Sequence, residues 1–282
     1  MSVGLMIAAL AIWVGGWWAN VRLARITGNR WSGLAAPVIF GTTLLVLWEL
    51  LVRALNVPGA ILPPPSAIGL AFASNLPTLW ADFVQTFVKG ALSGYIIGCG
   101  AAFLMSLAVD RSDFLKRGLL PVGNFVAALP IIGMAPVFVM WFGFGWQSKA
   151  AVVAVMCFFP MLVNTVQGLA AADRMQSDLM RTYAASPLQA LTKLKLPAAS
   201  PFIFNGLKIC TTLALIGAIV AEFFGSPTLG MGFRISTQVG RLALDMVWAV
   251  ILVAALAGST FYGVVTLLER AATFWHPSQR GR

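Results

Sequence analysis

The side chains able to support catalysis are few in this chain and widely separated. One histidine, His276, lies in the polar C-terminal stretch, and the three cysteines, Cys99, Cys157 and Cys210, lie inside apolar runs without a CxxC spacing. An enzyme active site at a membrane interface would need a cluster of histidines or carboxylates, and a zinc site needs closely spaced sulfur and nitrogen ligands. We therefore predict thiols in the core or at lipid depth, with no metal, no cofactor and no catalytic residue.

Nucleotide and nucleic-acid chemistry are also unsupported. No GxxxxGK[ST] sequence is present to hold phosphates, so any ATPase would be a separate chain. The net charge of +10 raises nucleic acid as a partner, but basic residues are not interleaved with aromatics as in such sites. Lysine and arginine also gather on the cytoplasmic side of membrane proteins, and that explanation suffices here.

Two acidic residues interrupt apolar runs. Glu222 ends a predicted span, where it is either a solvated helix end or a gate or structural pair, with Lys208 of a neighbouring copy or with Arg234. Glu49 has Arg53 one helical turn later, which predicts simple neutralisation.

The polar stretch "SDLMRTYAASPLQALTKLKLPAASP", residues 177–201, has the chemistry of a docking element. Met175, Leu179 and Tyr183 recur at helical spacing, which predicts one apolar face, and Asp178 and Arg181 are spaced to pair on another face. Ser186, followed by Pro187 and three residues later by Gln189, is typical of a capped helix start.

We expect this second helix to stop near Pro197, and Ser200-Pro201 to start the next span. Such a stiff projection suits docking into a groove of another protein. A solvated loop that only joins two spans is the alternative.

The composition of the whole chain predicts an integral membrane protein. It has 282 residues, 59% of them hydrophobic and 10% charged, and its mean hydropathy is +0.87, whereas soluble domains carry about 25% charged residues. A spanning helix needs about 20 apolar residues, and strand-period alternation is absent. The sequence predicts an all-α polytopic bundle with spans near 3–19, 33–54, 84–109, 119–142, 149–170, 202–222 and 246–267, the first of which is alternatively an interfacial helix.

Basic residues orient these spans. With the N-terminus outside and the C-terminus in the cytoplasm, all but five lysines and arginines lie on the cytoplasmic side, the exceptions being Arg53, Lys89, Lys149, Arg234 and Arg241. Outside, Ser66 after three prolines predicts a short helix. The glycine-rich 225–236 stretch predicts a re-entrant or gate-shaping turn, with a plain outer loop as the alternative.

Polar residues inside a span are candidates to line a pathway. Asn164, Thr165 and Gln167 lie within the 149–170 span, and Pro136 is placed to break the preceding one. Hydrogen bonding between helices is an equally good interpretation of the polar residues.

The polar stretch resembles the cytoplasmic coupling loop of permease subunits of bacterial ABC importers. That loop reads Glu-Ala-Ala, three residues, Gly, nine residues, Ile, one residue, Leu-Pro. Here the frame falls on Asp178-Leu179-Met180, then Ala184, then Leu194, then Leu196-Pro197, with matching spacing but changed identities.

Four other stretches resemble the nitrate, sulfonate and taurine importer branch, and the likeness runs from about residue 33 to 275. They are "LPPPSAI" and the segments at 128–150, 158–169 and 221–233. The loop also resembles relatives for pyrimidine precursors or riboflavin.

The resemblance implies a type I importer permease domain at 33–282, with 1–32 as an added N-terminal helix and basic loop. It implies a multi-pass inner-membrane protein that is a transport subunit and not an enzyme, moving a small solute inward by alternating access. The implied partners are a cytoplasmic ATPase dimer, a periplasmic solute-binding protein and a second permease copy. Within the coupling loop, 172–198, residues 172–186 would lie in a cleft of the ATPase. The coupling residues would be Asp178, Leu179, Arg181, Tyr183, Ala184, Pro187, Leu196 and Pro197.

A secondary transporter or a membrane scaffold without ATPase coupling is the alternative. Secondary transporters need internal repeats and buried ionisable residues, and the sequence predicts neither.

Overall fold

The computed structural model describes residues 3–24, 30–112, 114–115, 117–118, 131–225 and 228–275, and regular structure within these ranges is helical. In chain order the main helices are α1 (Val3–Ala24), α2 (Arg30–Ala54), α3 (Pro65–Ser74), α4 (Leu76–Arg111), α5 (Ile131–Phe142), α6 (Trp146–Ala170), α7 (Arg174–Thr182), α8 (Pro187–Phe224), α9 (Met231–Gly240) and α10 (Leu244–Ala272). The α4 and α8 helices contain π-helical turns at Val84–Leu92 and Leu191–Lys195.

Six described helices are long and apolar enough to cross a membrane, by length and composition: Gly4–Leu23, Ala35–Ala54, Leu76–Arg111, Trp146–Ala170, Pro187–Phe224 and Leu244–Ala272. They correspond to six of the seven predicted spans. The remaining one, 119–142, is described only over α5, and its residues 119–130 lie outside the described part of the chain. That span therefore stays a prediction.

The chain forms two compact units, Met1–Leu79 with Ile235–Leu252, and Trp80–Arg234 with Val253–Arg282. In the first unit α1 packs on α2. Gly16 permits this approach, because a Cβ there would lie 2.5 Å from the Thr43 side chain. Trp48 and Trp248 meet edge to face with ring centroids 5.0 Å apart. The predicted boundary between 1–32 and 33–282 remains a prediction.

The core of the second unit is formed where α4, α6 and α8 pack on one another. Small residues bring the backbones together: a Cβ on Gly98 would lie 2.4 Å from the Ala154 carbonyl oxygen, and one on Gly94 would lie 2.5 Å from the Ala150 carbonyl oxygen. Membrane helices associate through such close packing, because lipid removes most of the hydrophobic drive between them. The three cysteines lie in this core.

The prediction that the chain breaks near Pro197 and restarts at Ser200 is wrong, because α8 runs unbroken from Pro187 to Phe224. The π-helical turn lets the Leu196 amide donate to the Leu191 carbonyl, five residues back. Pro201 cannot donate to the Pro197 carbonyl, and the Ser200 hydroxyl does so instead at 2.8 Å. Pro136 likewise lies inside α5 and does not end it. Proline thus shapes these helices without terminating them.

Candidate functional site

The first candidate site is the segment 172–198, which we call the coupling segment. Its first helix, α7, is capped by Asp173, whose carboxylate accepts a hydrogen bond from the Met175 amide at 3.2 Å. Sequence reasoning missed this cap, although an aspartate directly before a helical run is a strong start signal.

The α7 helix ends in a Schellman motif centred on Ala184. The Ala185 amide donates to the Met180 carbonyl and the Ala184 amide to the Arg181 carbonyl, each at 2.9 Å. Ala184 has a φ of 52°, in the left-handed region that favours glycine. The importer coupling loop that this stretch resembles has glycine at this position, and the left-handed backbone gives the physical reason.

Ser186 then restarts the helix as predicted. Its hydroxyl accepts from the Gln189 amide at 3.3 Å, and the Gln189 side chain accepts from the Ser186 amide at 2.8 Å. This is a complete capping box with Pro187 in the first turn. The α7 helix and the start of α8 are therefore joined by a turn in which the end of one helix and the start of the other are both capped.

The predicted apolar face, formed by Met175, Leu179 and Tyr183, points to the outside of the chain. These side chains are 78%, 56% and 78% exposed. Arg181 and Asp178 lie 3.8 Å apart with both side chains largely exposed, so their ion pair adds little stability. An exposed apolar face of this kind is a candidate interaction surface.

The other end of the coupling segment is fixed to the bundle. Leu196 packs against a core cluster of Leu169, Leu191 and Ala199, so it serves packing and is not part of the exposed face. Lys195 binds Asp110 of α4 at 2.8 Å. A groove of about 510 Å³ separates the two ends, lined by Gln176, Leu179, Met180, Lys193, Leu194, Pro197, Ala198 and Trp275.

The second candidate site is a buried charge cluster in the second unit, formed by Asp82, Thr86, Lys149, Glu222 and Arg234. Asp82, Lys149 and Glu222 are at most 2% exposed. The two acidic and two basic side chains give the cluster a formal net charge of zero. A neutral total lowers the cost of burying these charges away from water. Arg234 binds both oxygens of Asp82, at 2.7 and 3.2 Å.

This cluster caps the N-terminus of α9. The Gly230 amide donates to Asp82 at 2.8 Å, the Met231 amide to the Thr86 hydroxyl at 2.7 Å, and the Gly232 amide to Glu222 at 2.7 Å. The Thr86 hydroxyl donates onward to Glu222 at 2.8 Å. Carboxylates at a helix N-terminus satisfy its unpaired amides and its dipole.

Lys149 closes the cluster from α6. Its ammonium group donates to the carbonyls of Phe144, at 2.8 Å, and Gly225, and it lies close enough to Glu222 to interact electrostatically. Gly230 has a φ of 127°, and a Cβ there would lie 2.4 Å from the Glu222 carboxylate. Gly230 and Gly232 therefore let the backbone approach the buried Glu222 closely.

The cluster corrects several expectations. Glu222 is not a solvated helix end; its partners are Thr86 and Gly232, while Arg234 binds Asp82 and Lys208 binds Glu269 at 2.8 Å within the same chain. Buried ionisable residues, which the sequence did not predict, are present. Asp82, Thr86 and Lys149 were missed, and the one local signal was the one-turn spacing of Asp82 and Thr86.

Glu49 behaves as predicted. Arg53 binds its carboxylate at 2.6 Å, and the Ser66 amide and hydroxyl also donate to it, at 3.0 and 2.8 Å. Glu49 thereby fixes the start of α3, which begins at Pro65.

The predicted pathway residues have different environments. Asn164 donates to the Pro160 carbonyl and accepts from Asn205 at 3.0 Å, whereas the buried Thr165 donates to the Met161 carbonyl within its own helix. Gln167 and Pro136 are exposed. Next to Asn205 lies a hollow of about 420 Å³ lined by Asn205, Lys208, Ile209, Thr212, Leu213 and Tyr262. The structure therefore leaves Asn164 half-buried in contact with Asn205, and Thr165 in the core.

These features are those of a multi-pass membrane protein with two capped helices joined by a short turn, and the described chain contains no catalytic constellation. Residues 94–273 match the family of binding-protein-dependent transport system inner membrane components. The chain belongs to this family of ABC importer permeases, has its type I fold and is a multi-pass inner-membrane protein. Membership implies an ATPase and a substrate-binding protein as partners.

Individual relatives agree with this assignment. A probable ABC transporter permease protein of Haemophilus influenzae is 30% identical over 84% of this chain and 96% of its own length. A formylaminopyrimidine transport permease of Halalkalibacterium halodurans is 29% identical over 86% of this chain and 96% of its own length. A putative aliphatic sulfonates transport permease of Bacillus subtilis is 27% identical over 90% of this chain and 92% of its own length. All three are named as permeases, consistent with a transport subunit and not an enzyme.

Proposed function

We propose that this permease moves a small polar solute inward by alternating access, and that a separate ATPase drives the movement through the coupling segment. The observation that carries the proposal is the exposed apolar face, Met175, Leu179 and Tyr183, on a helix capped at both ends. An amphipathic helix of this type fits a groove on a partner. Rigidity matters because a flexible element would absorb the partner's movement.

The continuity of α8 supports the coupling role. The capping box of Ser186 lies within the first turns of a helix that runs to Phe224, so a push on the turn reaches the membrane without a loop in between. The Lys195–Asp110 pair joins the same helix base to α4. Ala184 and Pro187 would hold the shape of the docking element, and Asp178 and Arg181 would set its register against the ATPase. Pro197 lines the groove beside it.

The pathway is the second part of the proposal. The polar side chains Asn164, Asn205 and Thr212 lie on surfaces of α6 and α8 beside the 420 Å³ hollow. We assign Asn164 and the exposed Gln167 to the pathway, at an interface with a second copy of the chain, and Thr165 to helix packing. Pro136, exposed on α5, belongs to the same pathway surface in this proposal.

Glu222 belongs to a gate in this proposal. The buried charge cluster fixes the turn at Gly230–Gly232, where α9 begins, through three backbone amides, so releasing the turn requires several hydrogen bonds to break together. Alternating access needs such an element with two discrete arrangements. We place this turn on the outer side, facing the periplasmic binding protein.

The solute is a small polar molecule of the kinds named for the relatives, which include aliphatic sulfonates, taurine, bicarbonate and formylaminopyrimidine. The Lys208–Glu269 pair neutralises the cation beside the hollow. The hollow therefore carries no net charge of its own that would select anions.

The coupling role is tested with the permease co-expressed with its ATPase and binding protein. Tyr183→Ala removes from the apolar face a ring that is 78% exposed in the free permease. If the ATPase buries this ring on binding, its loss should lower ATPase affinity at least about tenfold, as for other buried aromatic anchors. Transport should fall in parallel. Ala184→Trp should have the same effect, because a bulky side chain strains the left-handed turn.

Phe114→Ala is the matched control, since Phe114 is 84% exposed in a different segment of the predicted cytoplasmic side. Wild-type ATPase binding and transport in both Tyr183→Ala and Ala184→Trp would contradict the coupling role.

A further inference from the structure

The three cysteines, which the sequence scatters over more than a hundred residues, meet at one point in the bundle. Cys99 comes from α4, Cys157 from α6 and Cys210 from α8, and their sulfur atoms all lie within 4.8 Å of one another. They are 4%, 0% and 0% exposed. Each of the three core helices thus contributes one cysteine sulfur, a soft metal ligand, to the same small region of the core.

The surroundings of this thiol triad are apolar. Its neighbours in the core cluster include Ala102, Val153 and Ala214, all fully buried. The Cys157 thiol lies 3.6 Å from the Cys210 carbonyl, and the Cys210 thiol lies 3.3 Å from the Cys157 carbonyl. These are weak hydrogen bonds to carbonyl groups, so little is lost when a metal displaces one thiol proton and draws the sulfurs together.

We propose that the thiol triad binds one soft metal ion of low coordination number, and that this ion is Cu(I). Three sulfurs at about 2.3 Å from a central ion would lie roughly 4 Å apart, so the observed spacing needs only small side-chain shifts. Thiolates select Cu(I) and Zn(II) among common ions. Zn(II) requires a fourth ligand, and in the described chain no carboxylate or imidazole joins the three sulfurs.

Charge balance also favours a monovalent ion. A net charge in an apolar core is costly, and one Cu(I) that displaces one thiol proton to solvent leaves the charge of the site unchanged. The ligands are then one thiolate and two uncharged thiol sulfurs, and Cu(I) accepts uncharged sulfur as well as thiolate. The sulfurs keep their oxidation state, so no oxidant is needed. The bound ion would tie α4, α6 and α8 together at mid-core, and we expect it to slow any transport that requires these helices to shift. Binding itself does not depend on the proposed transport function.

The test is an anaerobic titration of the purified permease with Cu(I) held by a chromophoric chelator. We expect one tightly bound Cu(I) per chain, and an X-ray absorption spectrum with about three sulfur neighbours. Cys157→Ala and Cys210→Ala should each lower the affinity at least tenfold. Ser106→Ala, another fully buried small side chain on α4, is the control and should bind as wild type does.

Two results would overturn the proposal. One is the absence of competition with the chelator by the wild-type protein. The other is a spectrum dominated by nitrogen or oxygen neighbours, which would mean surface binding elsewhere. The spectrum is recorded on the unaltered protein, so the proposal remains testable even where a cysteine variant fails to fold.

Discussion

At the scale of single residues, Ala184 adopts a backbone conformation that its own side chain disfavours. Its φ of 52° places an L-amino acid in the left-handed region, at a cost of roughly 1–2 kcal/mol. The Schellman hydrogen bonds to Met180 and Arg181 hold it there. The hydrogen bonds of the Schellman motif before the turn and of the capping box after it therefore fix this conformation, although the residue is alanine.

Ala184→Gly should therefore stabilise the coupling segment by about 1 kcal/mol. Hydrogen exchange at the amides of residues 184 and 185 measures this locally, and we expect protection to rise roughly fivefold. Ala190→Gly is the opposite control, because Ala190 has a helical φ of −62°, and glycine there should cost up to about 1 kcal/mol. Equal effects of the two substitutions would show that the left-handed turn carries no strain.

Glu222 carries the other residue-scale prediction. Glu222→Gln leaves Lys149 without a balancing charge in a dry site and should lower the free energy of unfolding by about 3 kcal/mol. Adding Lys149→Met should recover more than about 1 kcal/mol of that loss, as expected for coupled neighbours. Chemical denaturation of the purified permease measures both variants.

Glu49→Gln is the control for this cycle. Its carboxylate pairs with Arg53, whose side chain is 57% exposed, so the loss should stay near 1 kcal/mol. Additive effects of Glu222→Gln and Lys149→Met would contradict the coupling of these two charges.

At the scale of helices, local signals were readable from the sequence and distant ones were not. The Ser186–Gln189 capping box and the Glu49–Arg53 pair were predicted, because their partners are three or four residues apart. Asp82 and Gly230 are 148 residues apart, and Thr86 and Glu222 are 136 apart. Only the packing of α4 against α8 and the start of α9 brings these groups together.

The prolines of α8 show how a local rule fails for a physical reason. Proline removes an amide donor, and the sequence therefore predicted a break. The structure supplies a substitute donor from Ser200 and a wider turn at Leu191–Lys195. Both devices give a donor to backbone carbonyls whose usual amide partner proline removes or displaces.

This account of α8 makes a testable prediction. Ser200→Ala should destabilise the permease by about 1 kcal/mol, because the Pro197 carbonyl then has no donor. In a Pro201→Ala background the same substitution should cost much less, since the new amide can donate to that carbonyl. Thermal unfolding of the four proteins measures the difference, and an equal cost in both backgrounds would refute the compensating role of Ser200.

At the scale of the whole molecule, the charge distribution predicts a single orientation in the bilayer. The family and the six apolar helices establish a multi-pass inner-membrane protein, while the orientation rests on the excess of lysine and arginine in the predicted cytoplasmic segments. The coupling segment must face the cytoplasm for an ATPase to reach it. Evidence against this orientation would therefore also contradict the proposed coupling to an ATPase.

Engineered cysteines can test this orientation, because the three native thiols are buried. Leu188→Cys, in the coupling segment, and Ile61→Cys, in the predicted outer segment, replace side chains that are 60% and 68% exposed. A membrane-impermeant maleimide added to intact spheroplasts should label Cys at 61 but not at 188. Inside-out vesicles should reverse the pattern, because the maleimide reaches only the outward-facing side of each preparation. Labelling at 188 in spheroplasts would place the apolar face of α7 outside the cell, where no ATP-driven partner could bind it.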